Sequence, residues 1–203
     1  MASTEITLMD LGRRGCQGTP RDFAAWVHFE TGVEDPSVPA VLDNLVSAGK
    51  FKHHPGFDHE YILASPIEFP TSVRYKVSGE LKQSPIQMVR SCMEAFLRSQ
   101  GTADETLMDI SIATTEAMEN AVKYSDHSPI EVSYSVENGV FHIMIKNRLS
   151  EVRLEKDIEA GKYTSTTTLM RGMMVMVKLF DEMDIEILEE EKLAVFQAHK
   201  RIK

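Results

Sequence analysis

Several residue types and patterns are scarce in this chain of 203 residues, and each scarcity excludes a class of protein. Cysteine occurs only twice, at Cys16 and Cys92, which is too few for the disulfide framework of a small secreted domain. No apolar run approaches the ~20 residues that span a bilayer. The first residues also lack the basic and apolar regions of a signal peptide. We therefore expect a disulfide-free, cytoplasmic protein with no membrane partner.

Positively charged residues are also scarce relative to negatively charged ones. Lysine and arginine number 22 against 31 aspartate and glutamate residues, which gives a net charge of −9 and a pI near 5.3. Binding to nucleic acid or to an anionic membrane needs a basic surface, so we expect neither as a general partner. Hydrophobic residues make up 42% of the chain and charged residues 26%, which is typical of globular proteins. The length allows one large domain or two small ones.

Residues 1–65 predict three helices followed by a short hairpin around Pro55-Gly56. This order resembles a winged-helix domain in topology, although it carries no specific motif. A DNA-reading winged helix needs basic side chains on and near its third helix. The segment instead holds five Arg or Lys against nine Asp or Glu, and its third helix brings only Lys50. We favour a protein-binding or dimerising module, with a winged-helix transcription regulator as the alternative.

The same segment contains residue types that bind zinc, namely His53, His54, Asp58 and His59. Adjacent histidines seldom point at one ion, and turns collect polar residues. We therefore interpret this group as a polar turn.

Residues 66–203 predict a second domain. Two prolines between residues 64 and 70 indicate an extended linker. The patterns that follow predict a strand, two helices, a hairpin, a helix and a second hairpin. Asn138-Gly139 between two alternating runs is the strongest of these signals. The order implies an α+β fold, an antiparallel sheet covered on one face by helices.

The longer of the two helices, which Asp104 is predicted to cap and which includes residues 110–125, carries the residues best suited to bind a ligand or transfer a proton. Its apolar residues form one stripe suited to packing on a sheet. Glu116 and Asn120 lie four residues apart and so share another face. A carboxylate beside a carboxamide offers hard oxygen ligands to a cation, and the carboxylate can accept a proton. The alternative is an ordinary solvated helix surface.

The sequence Thr115-Glu116-x-x-x-Asn120-Ala121-Val122 resembles the N box of the GHKL (Bergerat-fold) ATPases. Within that superfamily it is most similar to the anti-sigma-factor serine kinases of bacterial partner-switching systems. The resemblance implies that ATP and Mg²⁺ bind here. It implies further that Asn120 helps to hold the metal and that Glu116 acts as the base toward a serine. Lys123 would meet a phosphate.

The two glycine boxes of that superfamily are only partly present. Asn147 stands where the first box has an aspartate that accepts the adenine amino group, and Leu149 and Glu151 replace its glycines. Arg171-Gly172 resembles the second box, which implies that Gly172 opens the last helix and offers free N–H groups to phosphate. Thr167 and Thr168 fall in the region of the flexible ATP lid.

Two hypotheses of different classes follow. In the first, the chain is an ATP-dependent serine/threonine kinase that acts on a serine of an anti-anti-sigma-like partner, and in both the protein partner is a sigma factor or an anti-anti-sigma-like protein. In the second, the fold is a non-catalytic protein-interaction module that has lost nucleotide binding, as the altered first glycine box suggests. Both predict a regulatory protein partner, and the resemblance makes a homodimer plausible.

Overall fold

The computed structural model describes residues 3–65, 69–80, 85–150, 166–188 and 190–202, and within residues 166–171 it describes the backbone alone. The chain divides into two compact units. The first comprises Met1–Pro70 with Ser91–Phe96, and the second comprises Thr71–Arg90 with Leu97–Lys203. Within the described ranges, no helix has the length and apolar character needed to cross a bilayer.

The first unit consists of three helices and a two-stranded antiparallel hairpin. The elements in chain order are α1 (Thr4–Arg13), α2 (Pro20–Thr31), α3 (Val38–Ser47), β1 (Phe51–His54) and β2 (Phe57–Leu63). Helix α2 begins with a capping box, in which the Thr19 hydroxyl and the Asp22 carboxylate each accept the other's backbone N–H. This fixed start orients Phe23 and Trp26, both fully buried, and Phe23 packs edge-on against Phe51 with ring centroids 5.7 Å apart.

The third helix of this unit carries no basic side chain. Its Asp43 accepts a hydrogen bond of 2.8 Å from the hydroxyl of Tyr61 on β2. The acidic side chain is thus used to hold the hairpin against the helix. This arrangement gives α3 none of the cations that contact with a DNA backbone requires.

The second unit is built around a five-stranded antiparallel sheet. Its helices and strands in chain order are β3 (Ser72–Val77), α4 (Ile86–Ser99), α5 (Asp104–Tyr124), β4 (Ile130–Glu137), β5 (Val140–Arg148), α6 (Thr166–Leu179), β6 (Glu182–Leu188) and β7 (Leu193–Arg201). The strand order is β3-β4-β5-β7-β6, and every neighbouring pair is antiparallel. The predicted α+β fold, a sheet packed with helices, is confirmed.

The two faces of this sheet differ in burial. Alternate residues of β5, namely Phe141, Ile143 and Ile145, are buried, and α5 packs against this strand. The residues between them, including His142 and Met144, are partly exposed. Because side chains alternate along a strand, one face of the sheet forms the core and the other is open.

Candidate functional site

Glu116 and Asn120 project from the same side of α5, which runs for 21 residues. Both side chains are half-buried. The Asn120 Nδ2 group donates to the Glu116 Oε1 atom over 3.4 Å, which is a long and therefore weak hydrogen bond. The bond turns the amide nitrogen toward the carboxylate. It leaves the carbonyl oxygen of Asn120 directed elsewhere and available as a ligand.

Gly172 of α6 lies directly against this pair. A Cβ atom added at Gly172 would stand 2.2 Å from Glu116 Oε1, 3.0 Å from Glu116 Cδ and 3.2 Å from Asn120 Nδ2. Glycine lets α6 approach without displacing the Glu116 carboxylate, whereas any other residue would push that side chain aside. Two predicted motifs from distant parts of the sequence therefore meet at one point.

The expectation that Gly172 opens its helix is wrong. Helix α6 begins at Thr166, so Gly172 is its seventh residue. No glycine or proline lies between 166 and 171, and nothing in that stretch stops the helix from starting earlier. Only the first four N–H groups of a helix lack an internal acceptor, so the N–H of Gly172 is not free for a phosphate. The glycine serves close packing instead.

Thr167, Thr168 and Arg171 were also expected in this region, with the two threonines in a lid loop. The backbone of all three residues is part of α6, so Thr167 and Thr168 are not in a plain loop, and their place in the ATP lid stays a prediction. Their side chains fall outside the described residues. The free N–H groups at the start of α6 belong to residues around Thr167 and Thr168, one turn or more before Gly172.

Asn147 is a buried polar residue near the end of β5, with 6% of its surface exposed. It pairs with Ala194 of β7 and shares the covered face of the sheet with the apolar residues of β5. Its Nδ2 group donates to the carbonyl oxygen of Arg148 over 3.4 Å. Within the described part of the chain its side-chain oxygen accepts no hydrogen bond, so Asn147 can still accept one from a ligand.

The position of the first glycine box is occupied by an ordinary stretch of chain. Leu149 is half-buried, forms an isolated bridge with Ser125, and donates its N–H to the Lys192 carbonyl over 2.8 Å. Its φ angle lies outside the left-handed region. The backbone at Leu149 therefore does not need a glycine. Glu151, the other replaced glycine position, lies outside the described residues.

The end of α5 is tied to the end of β5. Ser150 donates its N–H to the Tyr124 carbonyl over 3.1 Å, and Asp126 donates to the Arg148 carbonyl over 3.0 Å. These bonds place the last turns of α5 beside the last residues of β5. Asn120 and Asn147 consequently lie at the same end of the second unit.

Lys123 follows Glu116 by seven residues, so it continues the same side of α5 toward this end. Its side chain is exposed, and its Nζ atom lies 5.1 Å from the centroid of the Tyr124 ring. This contact is a cation–π interaction at a solvent-exposed site.

Sequence reasoning missed Ser125, which organises the loop after α5. Its buried hydroxyl lies 2.9 Å from the Gly79 carbonyl and 3.1 Å from the Val122 carbonyl, and it accepts the His127 N–H over 3.1 Å. Gly79 itself approaches so closely that a Cβ there would lie 2.3 Å from the Ser128 carbonyl oxygen. A serine at the end of a predicted helix was the available signal, because such hydroxyls commonly bond to nearby backbone.

Comparison with known proteins agrees with this geometry. The model of the histidine kinase-like ATPase domain matches residues 80–196, which is more than half of the chain. The chain belongs to the histidine kinase-like ATPase domain family. The predicted membership of the GHKL superfamily is thereby confirmed, and the match spans Glu116, Asn120, Asn147 and Gly172.

The comparisons with solved structures and with curated proteins give less information about this chain. A chain in the crystal structure of the SiaB-SiaC complex from Pseudomonas aeruginosa shares 11% sequence identity, and the alignment covers 80% of the present chain and 96% of that chain. The TM-score is 0.43, which is too low to extend the family assignment. The search of curated proteins returned no match.

Proposed function

We propose that this member of the family is a cytoplasmic regulatory protein that binds ATP with Mg²⁺ and phosphorylates a serine or threonine of a protein partner. The observation that carries the proposal is the meeting of Glu116 and Asn120 with Gly172. By the resemblance to the superfamily, each belongs to a motif of the nucleotide site. Their convergence supports a common ligand site at this end of α5.

The side chains present fit a Mg²⁺ ion chemically. Magnesium prefers oxygen ligands and keeps several of its waters, so one or two protein oxygens are enough. The carbonyl oxygen of Asn120 is turned away from Glu116 and would serve as one of them. When bound, the ion would neutralise charge on the transferring phosphoryl group. Glu116 would then be left to accept the proton of the attacking hydroxyl.

Asn147 would contact the nucleobase in this proposal. Its carbonyl oxygen accepts no hydrogen bond from the described residues and would bind the amino group of adenine. A neutral amide makes a weaker hydrogen bond than the aspartate found elsewhere in the superfamily. We therefore expect weaker nucleotide binding than a complete first glycine box would give.

A second candidate is a non-catalytic module that regulates its partner by binding alone. One observation favours it. Leu149 occupies a glycine-box position in ordinary bridged backbone. In both candidates the partner would be a sigma factor or an anti-anti-sigma-like protein, with a homodimer as the proposed assembly. The acidic first unit, whose α3 lacks basic residues, would serve protein binding.

Equilibrium binding of a fluorescent ATP analogue, with and without Mg²⁺, tests the proposal. The parent protein should bind with micromolar affinity only when Mg²⁺ is present, and Asn120→Ala should abolish this dependence. Glu119→Ala is the matched control, since Glu119 is exposed on the same helix and should leave binding unchanged. Glu116→Gln keeps a ligand oxygen but loses the base, so it should bind normally. A parent protein that binds no nucleotide would leave the second candidate in place of the first.

A further inference from the structure

The open face of the five-stranded sheet carries a pair of histidines that the proposed nucleotide site does not use. His142 of β5 lies directly across from His199 of β7 in the strand register. Both side chains are partly exposed. Asn147, five residues after His142, points to the opposite, covered face. The histidine pair is therefore separated from the candidate site by the thickness of the sheet.

The two imidazole rings approach each other through their Nδ1 atoms. The Nδ1 atoms of His142 and His199 are 2.6 Å apart, and the rings are nearly perpendicular, with centroids 4.6 Å apart. Two nitrogens this close cannot both be protonated without repulsion. In the metal-free pair, one Nδ1–H must donate to the lone pair of the other Nδ1.

The surroundings leave room for an ion and its waters. The pair borders a groove of about 290 Å³, which is also lined by Ser133, Ser135 and Gln197. Glu182 of β6 is the cross-strand neighbour of His199 and carries an exposed carboxylate. Within the described ranges, no group of three or more histidine, cysteine, aspartate or glutamate side chains is arranged around one point. Two protein nitrogens with solvent ligands are therefore the expected coordination.

We propose that His142 and His199 form a binding site for one divalent transition-metal ion of the Cu²⁺ or Zn²⁺ class. Imidazole nitrogen suits these ions, whereas Mg²⁺ and Ca²⁺ prefer oxygen. Both rings bind as neutral Nε2–H tautomers through Nδ1, so the shared proton moves to Nε2 of its own ring and no net proton is released. Water molecules complete the coordination.

Binding at this position would link the neighbouring strands β5 and β7 through the metal ion. A ligand that binds the folded chain and not the unfolded chain raises stability by mass action. Metal binding should therefore raise the melting temperature of the second unit.

Cu²⁺ alone is the probe that tests the site, added to full-length protein from which every affinity tag has been removed. Calorimetry with glycine as a competing chelator measures stoichiometry and affinity, and electron paramagnetic resonance counts the nitrogens bound to copper. The variants are His142→Ala, His199→Ala and the more conservative His142→Asn. The double variant His53→Ala/His59→Ala removes two other exposed histidines and is the matched control.

We expect one Cu²⁺ per chain, two imidazole nitrogens in the spectrum, and a rise in melting temperature. Each single variant should lose at least tenfold in affinity and show one fewer nitrogen, while the control double variant should bind as the parent does. The proposal is overturned if His142→Asn binds as tightly as the parent while retaining its far-ultraviolet circular dichroism. It is equally overturned if the control variant loses the affinity instead.

Discussion

Replacing Gly172 by alanine is the sharpest test of how α6 packs on α5. The new Cβ atom would stand 2.2 Å from Glu116 Oε1, far inside van der Waals contact. The obstructing atom is the far end of a flexible side chain. Glu116 would therefore turn away, and its hydrogen bond to Asn120 would be lost.

Two opposing effects determine how much Gly172→Ala changes the free energy of unfolding. Alanine in place of glycine inside a helix stabilises it by about 1 kcal/mol. Overpacking of a close contact destabilises by about 1–3 kcal/mol. Gly172→Ala should therefore lower the free energy of unfolding by about 0–2 kcal/mol in the parent protein. In a Glu116→Ala background the carboxylate is absent, and the same change should raise stability by up to about 1 kcal/mol, because the helix effect is then opposed only by the 3.2 Å approach to Asn120 Nδ2.

A double-mutant cycle in urea measures this difference. Unfolding is best followed by far-ultraviolet circular dichroism, because the single tryptophan, Trp26, lies in the first unit. The coupling between positions 172 and 116 should be about 1–3 kcal/mol, whereas a control cycle with Glu119→Ala should be additive. A coupling below about 0.5 kcal/mol, within the ordinary error of additivity, would refute the contact between Gly172 and Glu116.

Three further predictions concern other parts of the chain. Thr19→Ala removes the capping box of α2 and should lower the free energy of unfolding of the first unit by about 1 kcal/mol in urea titrations followed by Trp26 fluorescence. Ser37→Ala is the control, because Ser37 is at an N-cap position without a side-chain cap bond. It should lower the free energy of unfolding much less than Thr19→Ala does, and equal losses would contradict the capping role of Thr19. Asn147→Asp places a carboxyl group where 6% of the surface is exposed and the neighbouring partner is a carbonyl oxygen, so burial should raise its pKa above the unfolded value. Its cost in stability should be small below the unfolded pKa of about 3.9 and should grow to about 1–3 kcal/mol as the pH rises from there through the folded pKa, which urea unfolding at about pH 3.5 and about pH 7 would show and a pH-independent cost would disprove. Burial raises the pKa of the Cys16 thiol, helped by its hydrogen bond to Cys92, and both thiols are 2% exposed. Ellman's reagent should therefore react with neither thiol in the native protein and with both in denaturant, and fast reaction of the native protein would show that this packing opens readily.

The central helix, α5, shows which structural features the local sequence pattern predicts. An apolar stripe at helical spacing fixes which side of α5 is buried, and the i, i+4 spacing then places Glu116 and Asn120 together on another side. The hairpin at Asn138-Gly139 was predictable for the same reason. Asn138 has a φ of 52° and Gly139 a φ of 76°, the left-handed values that this turn requires. These features depend on residues close in sequence.

The last helix, α6, shows a feature that the local sequence pattern does not predict, namely where the helix begins. The superfamily places a glycine at the opening of this helix, but here the preceding residues 166–171 continue the helix because none of them interrupts it. Whether a segment before a glycine is loop or helix depends on what it packs against, which the sequence does not display. The pairing of His142 with His199 is another such case, since 57 residues separate them and only the order β5-β7 makes them neighbours.

The sequence by itself determined the α+β class of the second unit, the burial side of its central helix and the presence of the Glu116 and Asn120 pair. Each of these follows from the periodicity of side chains along a single helix or strand. Only the tertiary structure decided that Gly172 lies against that pair, that Asn147 is buried on the covered face, and that two histidines meet on the open face. Contacts of this kind depend on the packing and strand order of the whole unit, because residues far apart in the chain carry no local signal of their proximity.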